Sequence, residues 1–214
     1  MRVFLAGATG VIGVRLVPLL VGAGHDVAGL TRTMGKTELL RDMGAKPVVG
    51  DVFDATWLAE AVAGFAPDVV LHELTDLPDD PAEISARGAA NSRIRREGTR
   101  NLLAAAGTAR VVAQSVAWQL PGDAGEAVRE HEAAVLDAGG VVVRYGQFYG
   151  PGTYFPSALP AGPRVHVDDA ARRTGRPGLG PYWCGRARRG VTGASGDAAT
   201  KIAISGRNGR VELP

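Results

Sequence analysis

Glycines stand at positions 7, 10 and 13, in the stretch GATGVIG, between an apolar run at residues 3–6 and apolar positions 11, 12, 16, 17, 19 and 20 at helical spacing. A strand, a GxxGxxG loop and a helix in that order can hold a pyrophosphate. Gly7 permits the tight turn out of the strand, Gly10 lets the backbone approach the phosphates, and Gly13 lets helix and strand pack closely. The N–H groups and dipole of the opening helix supply the positive potential, and Thr9, Val11 and Ile12 line the same loop. The chain has 30 glycines in 214 residues, so a triplet alone is equally turn punctuation. Its place at the start of a strand–helix–strand unit is what points to dinucleotide binding.

The end of the second strand bears on which dinucleotide. An acid there would hydrogen-bond the ribose of NAD. This chain instead has Thr31 and Arg32, with Lys36 close behind. A guanidinium can hold a 2′-phosphate bidentately, whereas a carboxylate would repel it. The pattern favours NADP(H) over NAD(H); the plainer alternative is that Arg32 is a solvated loop residue.

The elements that must position these residues alternate. Apolar strands are expected at 3–6, 25–30, 46–49, 68–72, 111–114 and 141–145, and helices follow at 11–21, 36–43, 55–63, 84–107 and 124–138. Several strands are apolar throughout, which means a parallel sheet covered on both faces. The fold expected is α/β, a doubly wound parallel sheet of Rossmann type. Residues 1–173 form this domain. Residues 174–214 hold nine glycines and little apolar periodicity apart from KIAI, so they are expected to be a weakly ordered tail.

Composition narrows the class. The chain is 45% hydrophobic and 21% charged, with one cysteine, Cys184. No apolar run approaches the roughly 20 residues of a membrane span, and a single cysteine fits a reducing cytoplasm. The four histidines show no metal-ligand spacing, so no metal site is expected. The tail carries seven Lys/Arg and two Asp/Glu, against 17 and 20 in the first 173 residues. The body is mildly acidic and lacks the basic, aromatic-interleaved surface of a nucleic-acid binder.

Seven motifs occur in the order seen in the extended or atypical short-chain dehydrogenase/reductases: GATGVIG, GDVFD (50–54), VVLHEL (69–74), EGTRNLLAAA (97–106), VVAQSVAW (111–118), VRYGQFYGPG (143–152) and VHVDDAAR (165–172). Over residues 1–173 the chain resembles these NAD(P)-dependent epimerase/dehydratase-like proteins. The resemblance implies that Asp51 and Val52 border the adenine. It implies that Leu71, His72 and Glu73 line the cofactor after the fourth strand, and that Tyr145, Gly146 and Gln147 lie by the nicotinamide.

Such proteins rest their chemistry on a Tyr-x-x-x-Lys pair after the fifth strand, with a Ser or Thr at that strand's end. Here Ser115 is in place, but the helix AGEAVREHEAAVLDA has neither Tyr nor Lys. With Glu132 aligned, Ala124 and Val128 fall on the missing pair. Tyr145 and Tyr149, at the edge of the sixth strand, are the substitutes to consider beside Ser115; each is also readable as packing or structural. His131 and Glu130 read as a solvated helix face. The region that usually covers the substrate is reduced to 13 residues, GTYFPSALPAGPR, so the cover is nearly absent or a second copy in a homodimer supplies it. Two functions follow: an NADP(H)-dependent oxidoreductase or epimerase-like enzyme acting on a small organic molecule, or a sensor or scaffold that binds NADP(H) without turnover.

Overall fold

The computed structural model describes residues 1–175, and as backbone the strands Ile202–Gly206 and Gly209–Leu213. Six strands, β1 (Arg2–Ala6), β2 (Asp26–Thr31), β3 (Lys46–Val49), β4 (Val69–His72), β5 (Arg110–Val116) and β6 (Val141–Tyr145), pair in parallel in the order β3-β2-β1-β4-β5-β6. This is the doubly wound Rossmann-type sheet, with its order reversing between β1 and β4, where such sheets open a crevice for a ligand.

The strands are apolar on both sides because both sides are covered. Val3, Leu5, Val69, Leu71, Val143 and Tyr145 join a core under α1 (Gly13–Gly22), α2 (Thr37–Asp42) and α7 (Val167–Thr174). Their neighbours Phe4, Ala6, Leu30 and Val70 face the opposite way, onto α3 (Ala55–Phe65) and α5 (Thr99–Ala106). Each fully buried Leu, Val or Phe is worth about 1.5–3 kcal/mol over exposure, so burial of the strands on both faces sets the frame.

The expected helix over 84–107 is a run over 88–106: α4 (Gly88–Arg93), a π-helical turn (Ile94–Gly98) and α5. Helix α6 (Gly122–Asp137) follows β5. After β6, β7 (Gln147–Tyr149) pairs with β8 (Arg164–His166) in a small parallel sheet, and the 13-residue segment runs between them. Its Tyr154 hydroxyl donates to the Pro78 carbonyl, tying it to the loop after β4. Strand β9 (Ile202–Gly206) pairs antiparallel with β6, and β10 (Gly209–Leu213) with β9. The remainder of the expected tail, including Cys184, lies outside the described residues.

Among the described residues no helix is long and apolar enough to cross a membrane. No group of three or more His, Cys, Asp or Glu in those residues could hold a metal ion.

Candidate functional site at the carboxyl edge of the sheet

The three loop glycines are required for different reasons. Gly7 has φ +94°, and a Cβ there would lie 2.7 Å from the Glu73 carbonyl carbon and oxygen. A Cβ on Gly13 would lie 2.1 Å from the Gly7 oxygen. Gly10 donates its N–H to that oxygen at 3.0 Å. A Cβ on Gly10 would meet only that oxygen, at 3.3 Å, and otherwise open space. Helix α1 begins beside it with Ile12, which gives no side-chain cap, and without an acid in the first turn. An uncapped helix start beside an open glycine is a cradle for an anion, and the residues present fit a pyrophosphate.

Next to the cradle, the Thr9 and Thr31 hydroxyls meet at 3.3 Å, and Thr31 Oγ1 accepts the Thr33 N–H. Arg32, half exposed, donates Nη2 to Asp76 Oδ1 at 3.0 Å. Asp51 is exposed and accepts the Phe53 N–H, while Val52 is buried with its carbonyl held by Asn101. Val11 is exposed at the loop's rim.

Toward β4 and β5 the polar groups form ordered chains. His131 Nε2 lies 2.9 Å from the Gln114 carbonyl, which only accepts, so Nε2 carries the proton. Burial, reinforced by the Arg95 charge, lowers the His131 pKa to about 4, so the ring is neutral and Nδ1 accepts from Thr99 Oγ1 at 2.7 Å. The Thr99 oxygen then accepts from His72 Nε2 at 3.0 Å, and His72 Nδ1 accepts the Leu74 N–H. Burial holds His72 well below the usual imidazole range too. Every proton is fixed by a backbone group at each end. The expectation that His131 lies on a solvated face is corrected: it is 2% exposed, turned inward by this chain. Glu130 is exposed and pairs with Arg96.

On the other face of β4, Glu73 is buried, and burial raises its carboxyl pKa to about 8. Its Oε1 accepts from the Tyr145 hydroxyl at 3.3 Å, and its Oε2 has no partner among the described residues. Tyr145 also lies 2.7 Å from Thr174 Oγ1. Burial, with Glu73 alongside, pushes the Tyr145 phenol well above 10. Leu71 is wholly within the core.

At the end of β5, Ser115 donates its hydroxyl to Glu132 Oε1 at 2.5 Å. Arg144 of β6 grips the same carboxylate with Nε on Oε1 at 2.7 Å and Nη2 on Oε2. Tyr149 is partly buried, its ring edge-on to His166 at 5.2 Å. Gln147 gives its side-chain amide to the Ala161 carbonyl. The structure therefore brings Ser115, Tyr145 and Tyr149 to the carboxyl side of β5 and β6, with the Ser115 and Tyr145 hydroxyls already engaged inside the fold.

Sequence reasoning passed over Arg15. Its Nε donates to Asp168 Oδ1 at 2.6 Å, Nη1 to the Val11 carbonyl at 2.7 Å and Nη2 to the Pro151 carbonyl at 2.5 Å. One side chain thus joins the glycine loop, the YGPG loop and α7. No local spacing signals this, because the Pro151 and Asp168 partners lie 136 and 153 residues away.

A sequence profile of the NAD dependent epimerase/dehydratase family matches residues 3–132. A Streptomyces protein named 3-diazoavenalumate denitrifying reductase is 39% identical over 183 residues, covering 72% of this chain and 58% of its own length. A Stigmatella aurantiaca ketoreductase acting on a 4-hydroxy-2-methyl-3-oxo-4-farnesyl-3,4-dihydroquinoline-1-oxide is 31% identical over 114 residues, 52% of this chain and 31% of its own. The chain thus spans less than two thirds of these relatives. Among solved structures, Bordetella bronchiseptica WbmH in complex with NAD+ superposes with TM-score 0.62 at 21% identity, covering 81% of this chain and 70% of that one. A Thermus thermophilus UDP-glucose 4-epimerase in complex with NAD gives 0.64 at 21%, covering 81% and 73%.

Proposed function

The chain belongs to the NAD dependent epimerase/dehydratase family, and on that premise we propose that it binds NADP(H) and reduces a small organic substrate. The observation that carries the cofactor choice is Arg32 at the end of β2, where the strand's carboxyl end itself bears no acid, its guanidinium exchangeable from Asp76 to a 2′-phosphate. Gly7, Gly10, Gly13 and the start of α1 would hold the pyrophosphate, and Thr9 and Thr31 would stand beside the adenosine half. Asp51 and Val52 would border the adenine. Gln147, Tyr149 and the chain ends at His72 and Glu73 would flank the nicotinamide half. The reductase and ketoreductase names of two relatives support the reductive direction.

The chemistry a bound nicotinamide dinucleotide supplies is hydride transfer. The chain's own part is to position, to exclude water and to place dipoles. Ser115 gives its proton to Glu132, so toward a substrate it acts as an acceptor. Tyr145 is sealed behind Glu73, with a phenol that holds its proton at neutral pH. Tyr149 is the phenol left nearest the rim as a hydrogen-bond donor. Stabilisation of developing charge by fixed donors is worth a few kcal/mol and does not require a base, which suits a helix α6 without Tyr or Lys.

A second reading, a binder of NADP(H) without turnover, is favoured by the same engagement of Ser115 and Tyr145 inside the fold. The test is titration of the full chain with NADPH and NADH, followed by NADPH consumption with a panel of small carbonyl compounds and quinones. Preference for NADPH with turnover supports the enzyme. Tight NADPH binding without consumption across the panel supports the sensor, and preference for NADH overturns the cofactor choice.

A further inference from the structure

Among the described residues Arg95 is a buried cation without a partner. It sits in the π-helical turn Ile94–Gly98 and is 6% exposed. Its Nε is buried and unbonded, and among the described residues no hydrogen bond or ion pair reaches its guanidinium. Its positive charge is felt at His72 and His131, and it feels the Glu132 carboxylate in turn. It therefore lies beside the ends of β4 and β5, on the α5 and α6 side of the crevice.

None of these neighbours neutralises it. Both histidines have their protons committed along the chain from the Leu74 N–H to the Gln114 carbonyl. Glu132 is gripped bidentately by Arg144 and receives the Ser115 hydroxyl. A buried charge lacking a counter-ion is costly, and proteins ordinarily pair it or leave it out. π-Helical turns interrupt helices at a cost in regularity too, and concentrate at functional sites. Both features fall on one residue, at the edge of the sheet where a substrate would enter.

We propose that Arg95 is the anchor for a carboxylate on the substrate, held through the guanidinium fork beside the end of β4 and α6. A carboxylate matches the fork geometry bidentately. One unpaired positive charge beside two neutral imidazoles balances a monoanion, which favours a carboxylate over a phosphate dianion. The proposal rests on the reading that the substrate meets the cofactor at this edge. It places the recognition cation on α4–α5, opposite the helix whose Tyr and Lys positions hold Ala124 and Val128.

The test uses the full chain, and the thermal midpoint is measured with and without benzoate and cinnamate, each against its neutral amide. Arg95→Met and Arg95→Lys are run in parallel, with NADPH affinity measured on all three proteins. The carboxylates should raise the wild-type midpoint and the amides should not. Arg95→Met should abolish that shift, and Arg95→Lys should keep part of it. Without ligand, Arg95→Met should melt higher by about 2–4 °C, since an apolar side chain of similar length replaces an uncompensated charge. A structural arginine would do the reverse, so a lowered Arg95→Met midpoint overturns the proposal. So does a wild-type midpoint that no carboxylate moves, or a carboxylate shift that survives in Arg95→Met. NADPH affinity should stay within about twofold across the three proteins. If NADPH fails to bind the wild type while the Arg95-dependent carboxylate shift holds, the cofactor reading fails and the anion anchor stands.

Discussion

Tyr145 donates its hydroxyl to Glu73 at 3.3 Å across the crevice end of β4 and β6, and among the described residues no group reaches the other oxygen of that carboxyl. Burial keeps Glu73 protonated up to about pH 8 in the folded chain, whereas an unfolded glutamate ionises near 4.5. Between those values the unfolded state binds fewer protons, so stability falls as pH rises and levels off above about 8. The two buried histidines act oppositely: their folded pKa values lie below 6.5, so stability rises with pH up to about 6.5. The expected profile of unfolding free energy against pH peaks near 6.5. Glu73→Gln should remove most of the alkaline decline and stabilise the chain at pH 8 by on the order of 3 kcal/mol. Urea melts from pH 5 to 9 check this, and a variant whose profile overlays the wild type would show that Glu73 is ionised in the fold.

Arg32 spends its free time on Asp76, at 3.0 Å and half exposed. A 2′-phosphate must compete with that carboxylate. Arg32→Ser should weaken NADPH binding by about 1–3 kcal/mol and leave NADH unchanged. Asp76→Asn should strengthen NADPH by about 0.5 kcal/mol, the size of an exposed ion pair. Fluorescence titration of both nucleotides reads both effects, and an NADPH affinity indifferent to Arg32→Ser would leave the arginine as a solvated loop residue.

The glycines separate folding from binding. Gly13→Ala places a methyl group 2.1 Å from the Gly7 oxygen, so the loop and α1 must part; a loss of about 2–4 kcal/mol in stability is expected. Gly10→Val meets little inside the protein but fills the cradle. It should keep the circular dichroism spectrum and the melting point nearly unchanged while removing dinucleotide binding. Micromolar binding retained by Gly10→Val would place the pyrophosphate elsewhere.

What the sequence made legible follows from what is local in it. The strand–helix alternation, the glycine loop and Arg32 depend on runs of a few residues, and the apolar character of each strand is written along it. The inward turn of His131 was hidden, because its partners Thr99 and the Gln114 carbonyl come from other elements, and a histidine flanked by Glu130 and Glu132 reads as solvated. Arg15 was hidden for the same reason: its acceptors at Pro151 and Asp168 are joined to it only by the folded chain. Arg95 stands in a basic run, RIRREGTR, that looks like an exposed face. Only the helix geometry separates it from Arg93 and Arg96, which find carboxylates at the surface.

Ser115, Glu132 and Arg144 form one unit, and the chemistry of the site depends on how firmly it is closed. The Arg144 and Glu132 side chains are 21% and 14% exposed, so the pair is partly screened. Removing one partner strands the other charge together with the Ser115 hydroxyl. Arg144→Met should destabilise the chain by about 2–3 kcal/mol, at the lower end for a buried pair because of that exposure. The double variant Glu132→Leu with Arg144→Met should recover most of the loss, since neither member of this pair is left without the other. Ser115→Ala removes only one hydrogen bond to the carboxylate and should cost about 1–2 kcal/mol. Thermal melts order these variants. Their rates on any substrate found by NADPH consumption then decide the role of the unit. If Ser115→Ala keeps the wild-type rate while Tyr149→Phe slows it, the hydroxyl at the rim serves the substrate and the serine serves the fold. If both keep the wild-type rate, neither hydroxyl contributes to the reaction, and stabilisation of the developing charge must come from other groups.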